Sequence, residues 1–217
     1  MKTKQFSLTT IGLFLLSTLS INNAIQSQVN NTNDTLQRLS AAAARNTGLS
    51  TIILAAVGGS TGAIIGQHMD LQAGEIRLAL PDAAVERVGE GIVIEFNNRI
   101  LFGSDKSKLT VEAKNSLGKL NEIFKKYPDT NIEVQGHTDN TGTVKYNQAL
   151  SERRASAVMG NLSENDIATA RLSIKGFGES LPKYSNKTAV GHAQNRRVEF
   201  LMSANAKMKS DAATEAK

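Results

Sequence analysis

The sequence predicts an α+β fold in which helices cover one face of a mixed β-sheet of the βαβαβ type. Several segments alternate between apolar and polar residues, which is the pattern of a strand with one buried face; they lie near 92–96, 132–136, 171–179 and 196–202. Two amphipathic helical segments lie between them, near 110–127 and 144–162. The order is hairpin, helix, strand, helix, strand, loop, strand, which favours helices packed on one side of the sheet.

The composition excludes several classes of function. The 217 residues carry a net charge of +5 without a dense stripe of lysine and arginine, so nucleic-acid binding has little support. They contain no cysteine, which excludes disulfides, thiolate catalysis, cysteine-based metal sites and a lipid-modified cysteine within them. We predict no catalytic residue, no metal site and no cofactor.

Residues 1–27 have the layout of a signal peptide. Lys2 and Lys4 precede an apolar run at 11–19, and small and polar residues follow. The run is short for a membrane span. The alternative is an uncleaved inner-membrane anchor. The next residues, 28–47, are rich in Asn and Thr and then in Ala, and we predict that they form a spacer.

Residues 48–69 are predicted to form a glycine-zipper helix. Gly58, Gly62 and Gly66 recur every four residues, and no charged residue occurs from 49 to 66. On a helix this spacing makes one face nearly flat, so that two backbones can approach closely. We therefore predict a membrane-associated segment and a homo-oligomer formed through these glycines. The alternative is a glycine-rich buried helix or loop of the soluble domain.

The remaining elements follow in order along the chain. Residues 70–90 are predicted to form a short helix and the start of a hairpin, whose turn contains Gly89. Residues 91–203 are predicted to form the main domain. Its first helix begins after the N-cap Thr110 and ends before Pro128, and its apolar stripe comprises Ala113, Leu117, Leu120 and Phe124. The polar residues 204–217 are predicted to be a disordered tail.

The second helix places one arginine on the side that faces the protein. On a helical wheel with about 100° per residue, Arg154 falls within the stripe of Leu150 and Val158, whereas Arg153 falls outside it. A guanidinium that lies against the protein needs an acceptor, because an unpaired buried charge is very costly. Asp139, in the loop before this helix, is the nearest candidate in sequence, and the Asn147 amide lies on the same side.

Two interpretations of this pair remain open on spacing alone. In the first, Asp139 and Arg154 form a structural ion pair that holds the loop to the helix. In the second, they lie side by side and bind a zwitterion, so that the aspartate takes an ammonium and the arginine forks onto a carboxylate. The glycines of the loop would then let backbone N–H groups approach the ligand.

Four collinear motifs resemble the OmpA-like peptidoglycan-binding domain: "GHTDNTG" (136–142), "YNQALSERRASAVMGNL" (146–162), "RLSIKGFGESLP" (171–182) and "NRRVEF" (195–200). The resemblance implies non-covalent binding of the peptidoglycan peptide stem, with Asp139 and Arg154 gripping its diaminopimelate residue. It also implies contacts from Asn147 and Arg196, and it places Thr138 and Asn140 beside them. One departure is His192, which stands where many relatives carry an arginine. His137 fits the family's loop, and we expect it to be a strand-end histidine hydrogen-bonded to that loop.

The resemblance favours a protein of the outer membrane, with its C-terminal domain in the periplasm, that tethers this membrane to the cell wall and is not an enzyme. The alternative is a glycine-zipper membrane oligomer or pore in which wall binding only positions the protein. A flagellar-stator-like protein shares this domain type but needs an acidic residue in its membrane helix, and 49–66 contains none.

Overall fold

Five β-strands form the frame of the structure, a computed structural model that describes residues 57–103 and 106–217. Their order across the sheet is β1-β2-β5-β3-β4. The β3–β4 pair is parallel and the other three pairs are antiparallel, so the predicted mixed sheet is confirmed. The strands are β1 (Ala84–Val88), β2 (Gly91–Asn97), β3 (Thr130–Gly136), β4 (Leu172–Gly176) and β5 (Arg197–Ala204).

Six α-helices accompany the sheet in the described residues. They are α1 (Gly59–Ala79), α2 (Asn98–Leu101), α3 (Val111–Lys126), α4 (Val144–Glu164), α5 (Ala189–Asn195) and α6 (Ala206–Glu215), with a 3₁₀ turn at Thr169–Arg171. Buried side chains of α1, α3, α4 and α6 share one core with alternate residues of the strands, such as Ile94, Val134 and Phe200. One sheet face is therefore covered by helices, as the alternating pattern predicts.

Helix α3 matches its sequence prediction closely. The Thr110 side chain accepts a hydrogen bond from the Ala113 backbone N–H at 3.0 Å, which caps the helix as expected. The four residues of the predicted stripe are fully buried. The helix ends at Lys126, before Pro128. The hairpin is also confirmed, since β1 and β2 pair up to Val88 and Gly91, and Gly89 in the turn has a positive φ of 57°.

Helix α1 differs from the prediction of a separate zipper and short helix. It is one continuous helix, and its inner face, with Ile65, Met69 and Ile76 among others, is part of the core. A Cβ at Gly62 would come within 2.6 Å of Glu90 Oε1 in the hairpin turn, and a Cβ at Gly66 would lie 3.8 Å from Arg87. The glycine face therefore packs on the hairpin of its own domain, as the alternative interpretation expects.

The start of α1 is held by the same hairpin. The backbone N–H groups of Val57 and Gly58 donate to Glu90 Oε1 at 2.8 and 3.2 Å. No helix among residues 57–103 and 106–217 is long and apolar enough to cross a membrane. The rest of the predicted zipper, 48–56, lies outside the described residues, as do the predicted signal peptide and spacer.

The prediction of a disordered tail at 204–217 is wrong. This stretch ends β5 and forms α6, which begins after the N-cap Asn205; the Asn205 side chain accepts from the Met208 backbone N–H at 2.9 Å. Met208 and Ala212, one turn apart, are buried in the core. These two core residues, the cap and the ion pairs of Lys207 with Asp129 and Asp211 order a segment whose composition is polar. The folded unit therefore extends beyond 91–203 at both ends.

Candidate ligand-binding cleft

A polar cleft with a volume of about 660 Å³ lies where β3 ends and α2 and α4 begin. Helix α4 supplies one wall, and the segment that includes α2 supplies another. The loop after β3 and the residue before β5 complete the lining. The residues that line the cleft are Asn98, Arg99, Phe102, Gly103, Thr138, Asp139, Thr141, Tyr146, Asn147, Leu150, Arg154 and Arg196.

Asp139 is the acidic residue among the described residues of this lining. It is only 5% exposed. One carboxylate oxygen accepts a hydrogen bond from the Thr141 backbone N–H at 2.9 Å, and the other forms an ion pair with Arg196. Burial raises the pKa of Asp139, but the hydrogen bonds from Thr141 and Arg196 together outweigh it, so the pKa lies below its ordinary value. The residue is therefore a carboxylate at neutral pH.

Arg154 lies against the protein as the helical wheel predicts. It is 1% exposed, whereas its neighbour Arg153 is exposed. Its Nε donates to the Lys106 carbonyl oxygen at 3.0 Å. Its guanidinium carbon lies 5.6 Å from the centre of the Phe102 ring, within the range of a cation–π contact. These contacts hold a buried positive charge in the wall of the cleft.

Asn147 and Thr138 fix the backbone around Asp139. The Asn147 amide, buried on α4, donates to the Asp139 carbonyl oxygen at 3.3 Å and to the Glu179 carboxylate at 2.5 Å. The Thr138 hydroxyl donates to the same Asp139 carbonyl at 2.8 Å. The loop and the first turns of α4 are thus joined through this carbonyl.

Five of the six predicted site residues meet in this cleft, and one does not. Asp139, Arg154, Asn147, Arg196 and Thr138 belong to its lining. Asn140 is exposed and is not part of the lining.

The sequence did not single out Arg99, Phe102 and Tyr146, which also line the cleft. Tyr146 lies within a motif that the resemblance rests on. Arg99 belongs to the four-residue helix α2, and a helix this short shows no hydrophobic period that could reveal it.

Glycines bring α4 close to the ends of β3 and β4. A Cβ at Gly136 would come within 2.9 Å of the Ser151 carbonyl carbon, and a Cβ at Gly176 would come within 2.8 Å of the Glu152 backbone nitrogen. Real Cβ atoms are not found this close to backbone atoms. Gly136, the first glycine of the 136–142 loop, therefore serves helix packing, a role that differs from the predicted approach of backbone N–H groups to a ligand.

His137 is buried beside the site and is not part of its lining. Its ring is stacked on Phe177, with 5.3 Å between the ring centres. Neither ring nitrogen has a hydrogen-bond partner among the described residues, so the expected hydrogen bond to the loop is not present there. Burial, followed by the charges of Arg197 and Lys183, lowers the pKa of His137 well below its ordinary value, which keeps the ring neutral.

The described residues contain no metal-ligand cluster, and His192 does not line the cleft. No group of three or more His, Cys, Asp or Glu side chains within 57–103 and 106–217 is arranged to hold a metal ion. The ring of His192 lies 2.5 Å from the Asn186 carbonyl oxygen, so this residue, which departs from the family's pattern, organises the segment before α5.

Comparison with known proteins gives consistent matches. The sequence model of the OmpA family matches residues 101–196. The chain is 35% identical over 141 residues to the probable lipoprotein YiaD of Escherichia coli, covering 64% of each chain, which is less than two thirds of that relative. It is 34% identical over 125 residues to the outer-membrane lipoprotein YfiB of Pseudomonas aeruginosa, covering 58% of this chain and 74% of that one.

A solved structure shows the same fold. The structure of the T6SS cell wall anchor from Pseudomonas aeruginosa is 26% identical, with a TM-score of 0.56. The match covers 63% of this chain and 97% of that one.

Proposed function

Because the chain belongs to the OmpA family, we propose that its cleft binds peptidoglycan without a covalent bond and that the protein tethers the outer membrane to the cell wall. The observation that carries this proposal is the convergence of Asp139, Arg154 and Arg196 on one open cleft. The names of the relatives support it, since one is an outer-membrane lipoprotein and another is a cell wall anchor.

The charges of the lining suit a ligand with both an ammonium and a carboxylate. Among the described residues, the lining contains three arginines, Arg99, Arg154 and Arg196, and one aspartate, Asp139. Groups of both signs are thus available for the two charges of such a ligand. Guanidinium groups bind carboxylates in a fork geometry that ammonium groups of lysine do not match.

Asp139 can accept an ammonium without losing its present partners. An ionised carboxylate has about four acceptor sites, and Asp139 uses only some of them for Thr141 and Arg196. The free end of a diaminopimelate residue in the peptide stem carries one amino group and one carboxylate. We propose that its ammonium binds Asp139 and that its carboxylate binds the arginines, with Asn147 and Thr138 holding the loop in place.

A single stem binds weakly under this proposal. Hydrogen bonds to charged groups contribute about 1.5–3 kcal/mol each. Two or three of them, less the cost of association, correspond to a Kd of roughly micromolar to millimolar. The wall presents many stems, so a tether can rely on repeated weak contacts.

Adjacent arginines on α4 provide a matched test. We expect Arg154→Ala to abolish co-sedimentation with purified peptidoglycan sacculi and Arg153→Ala, which removes the same charge from an exposed position, to leave it unchanged. Asp139→Ala should behave like the first variant and Asn140→Ala like the second. Circular dichroism confirms that each variant is folded.

Free diaminopimelate tests the ligand class. It should compete with sacculi for the wild-type protein, whereas Nα-acetyl-lysine amide, which keeps an amine but has neither a free α-amino group nor a carboxylate, should compete poorly. Full co-sedimentation of both folded variants, Asp139→Ala and Arg154→Ala, would contradict the cleft as the binding site. Binding that is lost in both variants but is insensitive to diaminopimelate would contradict the proposed ligand alone.

We also propose that the protein carries out no reaction on the wall and that its described domain lies in the periplasm. Incubation of the purified protein with sacculi, with and without added Zn²⁺, should release no soluble muropeptides. Release above the level of a heat-denatured sample would contradict the proposal. The protein should fractionate with outer membranes, and a protease added to intact cells should not reach the domain.

A further inference from the structure

The outer face of α1 carries two exposed leucines that no other described element covers. Leu71 is 60% exposed and Leu78 is 87% exposed. They lie seven residues apart, on the side of the helix opposite to the buried residues Met69 and Ile76. Single exposed leucines are common, but two aligned on one helix face offer a partner two apolar contacts in register.

The spacing along this strip is that of a coiled-coil seam. Ile64, Gln67, Leu71, Gly74 and Leu78 follow one another at alternating intervals of three and four residues, which is the a and d pattern of a heptad repeat. The branched residues occupy every a position. The d positions hold an amide and a glycine, and a Cβ at Gly74 would meet no atom within 4 Å, so space is open there for an incoming side chain.

We propose that this face pairs with the same face of a second copy and that the two α1 helices run antiparallel. The partner is identified by the charges that flank the seam. One flank carries Asp70 and Arg77, each directly before a seam leucine. The other flank carries His68 and Glu75, each directly after a d position.

An antiparallel pair brings each flank against the same flank of the partner copy. Asp70 of one copy then faces Arg77 of the other, which are opposite charges, and His68 faces Glu75, which can form a hydrogen bond. The two-fold axis repeats each of these contacts once. A parallel pair would instead place Asp70 against Glu75, which are like charges. The charge pattern thus selects a second copy as the partner and selects its direction.

The flanking groups can keep their present contacts within the chain. Asp70 accepts from Arg87 at 2.7 Å, yet its side chain is 69% exposed. Glu75 accepts from the Tyr127 hydroxyl at 2.8 Å and forms an ion pair with Lys126. Each carboxylate has about four acceptor sites, so a further donor can approach without displacing the present ones.

The seam packs in a self-complementary way around an axis between residues 72 and 73. Leu71 fills the space above Gly74 of the partner copy, and Leu78 lies over the stem of Gln67 of the partner copy. Such a contact is isologous, since both copies use the same surface. It differs from the oligomer predicted through Gly58, Gly62 and Gly66, because Gly62 and Gly66 face the hairpin of their own chain.

Introduced cysteines test the direction of the pair. The chain has no cysteine of its own that could form a competing disulfide. A disulfide needs Cα atoms within about 7 Å. In the proposed dimer Gln67 of one copy lies beside Leu78 of the other, whereas each is far from its own equivalent. We therefore expect a mixture of full-length Gln67→Cys and Leu78→Cys chains, purified in a mild detergent, to form an oxidised dimer.

Each cysteine variant alone should form at least ten-fold less dimer than the mixture. Ser156→Cys, at an exposed position on α4, measures random collision. Strong cross-linking of Leu78→Cys alone would show a parallel pair and overturn the proposal. Cross-linking of the mixture no greater than that of Ser156→Cys would also overturn it.

Sedimentation equilibrium of the full-length chain provides a second, independent measurement. The double variant Leu71→Glu and Leu78→Glu adds charge at positions that are exposed in the single chain, so its fold should be retained. We expect its dimer Kd to rise at least ten-fold above that of the wild type. A control variant, Lys114→Glu on the exposed side of α3, should leave it unchanged. An equal Kd for the double variant and the wild type would refute the seam.

Discussion

Replacing Asp139 with asparagine removes one negative charge from the cleft while keeping the shape of the side chain. The amide oxygen of the Asp139→Asn variant can still accept from the Thr141 backbone N–H, so the bond that measures 2.9 Å in the wild type is retained. The ion pair with Arg196 is lost. A hydrogen bond to a charged group contributes about 1.5–3 kcal/mol. Because the Arg196 side chain is 34% exposed and water replaces part of the interaction, we expect the free energy of unfolding to fall by about 1–2 kcal/mol at pH 7.

The same substitution has a defined pH dependence. Burial raises the pKa of Asp139 and the Thr141 and Arg196 hydrogen bonds lower it by more, so the folded-state pKa lies below the ordinary 3.8. A carboxyl with a lowered folded-state pKa stabilises the protein above its unfolded-state pKa, and this contribution is lost as the pH falls through the folded-state value. The asparagine side chain does not titrate. The difference between wild type and variant should therefore be constant from pH 7 to about 5 and should become smaller as the pH falls below the ordinary pKa of 3.8.

Urea denaturation of the wild type, Asp139→Asn and Asn140→Ala at pH 7, 5 and 3 measures this difference. The Asn140→Ala variant should match the wild type throughout, since the Asn140 side chain is exposed outside the cleft. Equal stability of wild type and Asp139→Asn at pH 7 would refute the stabilising ion pair. A difference that is just as large at pH 3 would show that its cause is not the carboxylate charge.

Four further substitutions have expected outcomes in the same denaturation assay. Gly136→Ala should lower the free energy of unfolding by about 1–3 kcal/mol, because its methyl group would meet the backbone of α4; Gly118→Ala, in open space on α3, should raise it by roughly 0.5–1 kcal/mol. Met208→Ala should lower the free energy of unfolding by about 2 kcal/mol, because the Met208 side chain is buried in the core. An unchanged free energy of unfolding would instead support the prediction of a disordered tail. His137→Phe keeps an aromatic ring against Phe177. Burial lowers the pKa of His137 in the folded protein, so as the pH falls from 7 to 5 the unfolded chain takes up a proton on this residue before the folded chain does, which destabilises the wild type. The variant lacks this group, so its loss of stability over the same range should be smaller.

Local periodicity was enough to predict which side of each main helix is buried. Arg154 is nearly inaccessible and Arg153 is exposed, although both carry the same charge and differ only by about 100° on the wheel. The stripe of α3 and its Thr110 cap are likewise set within one helix. These features depend on residues within a few turns of each other, so the sequence contains all the information that they need.

Contacts between distant segments could not be predicted in the same way. The sequence suggested Asp139 as the acceptor for Arg154, but the ion pair that Asp139 forms in the structure is to Arg196, which is 57 residues away. Only the pairing of β3 with β5 brings these two residues together. The four-residue glycine spacing of α1 is equally suited to a membrane partner and to a hairpin, because the pattern describes one surface and not what lies against it.

The glycines beside the cleft explain how one helix can be placed accurately enough to build a binding site. Gly136 and Gly176, at the ends of β3 and β4, leave no side chain between the strands and the backbone of α4. Helix α4 therefore rests directly on the strand ends, and the loop that carries Asp139 begins at the same contact. Since Asn147 and Arg154 lie on either side of that contact along α4, their positions relative to Asp139 are set by backbone packing. A larger residue at either glycine would move both side chains of α4 together, so it should weaken ligand binding as well as stability even though neither glycine lines the cleft.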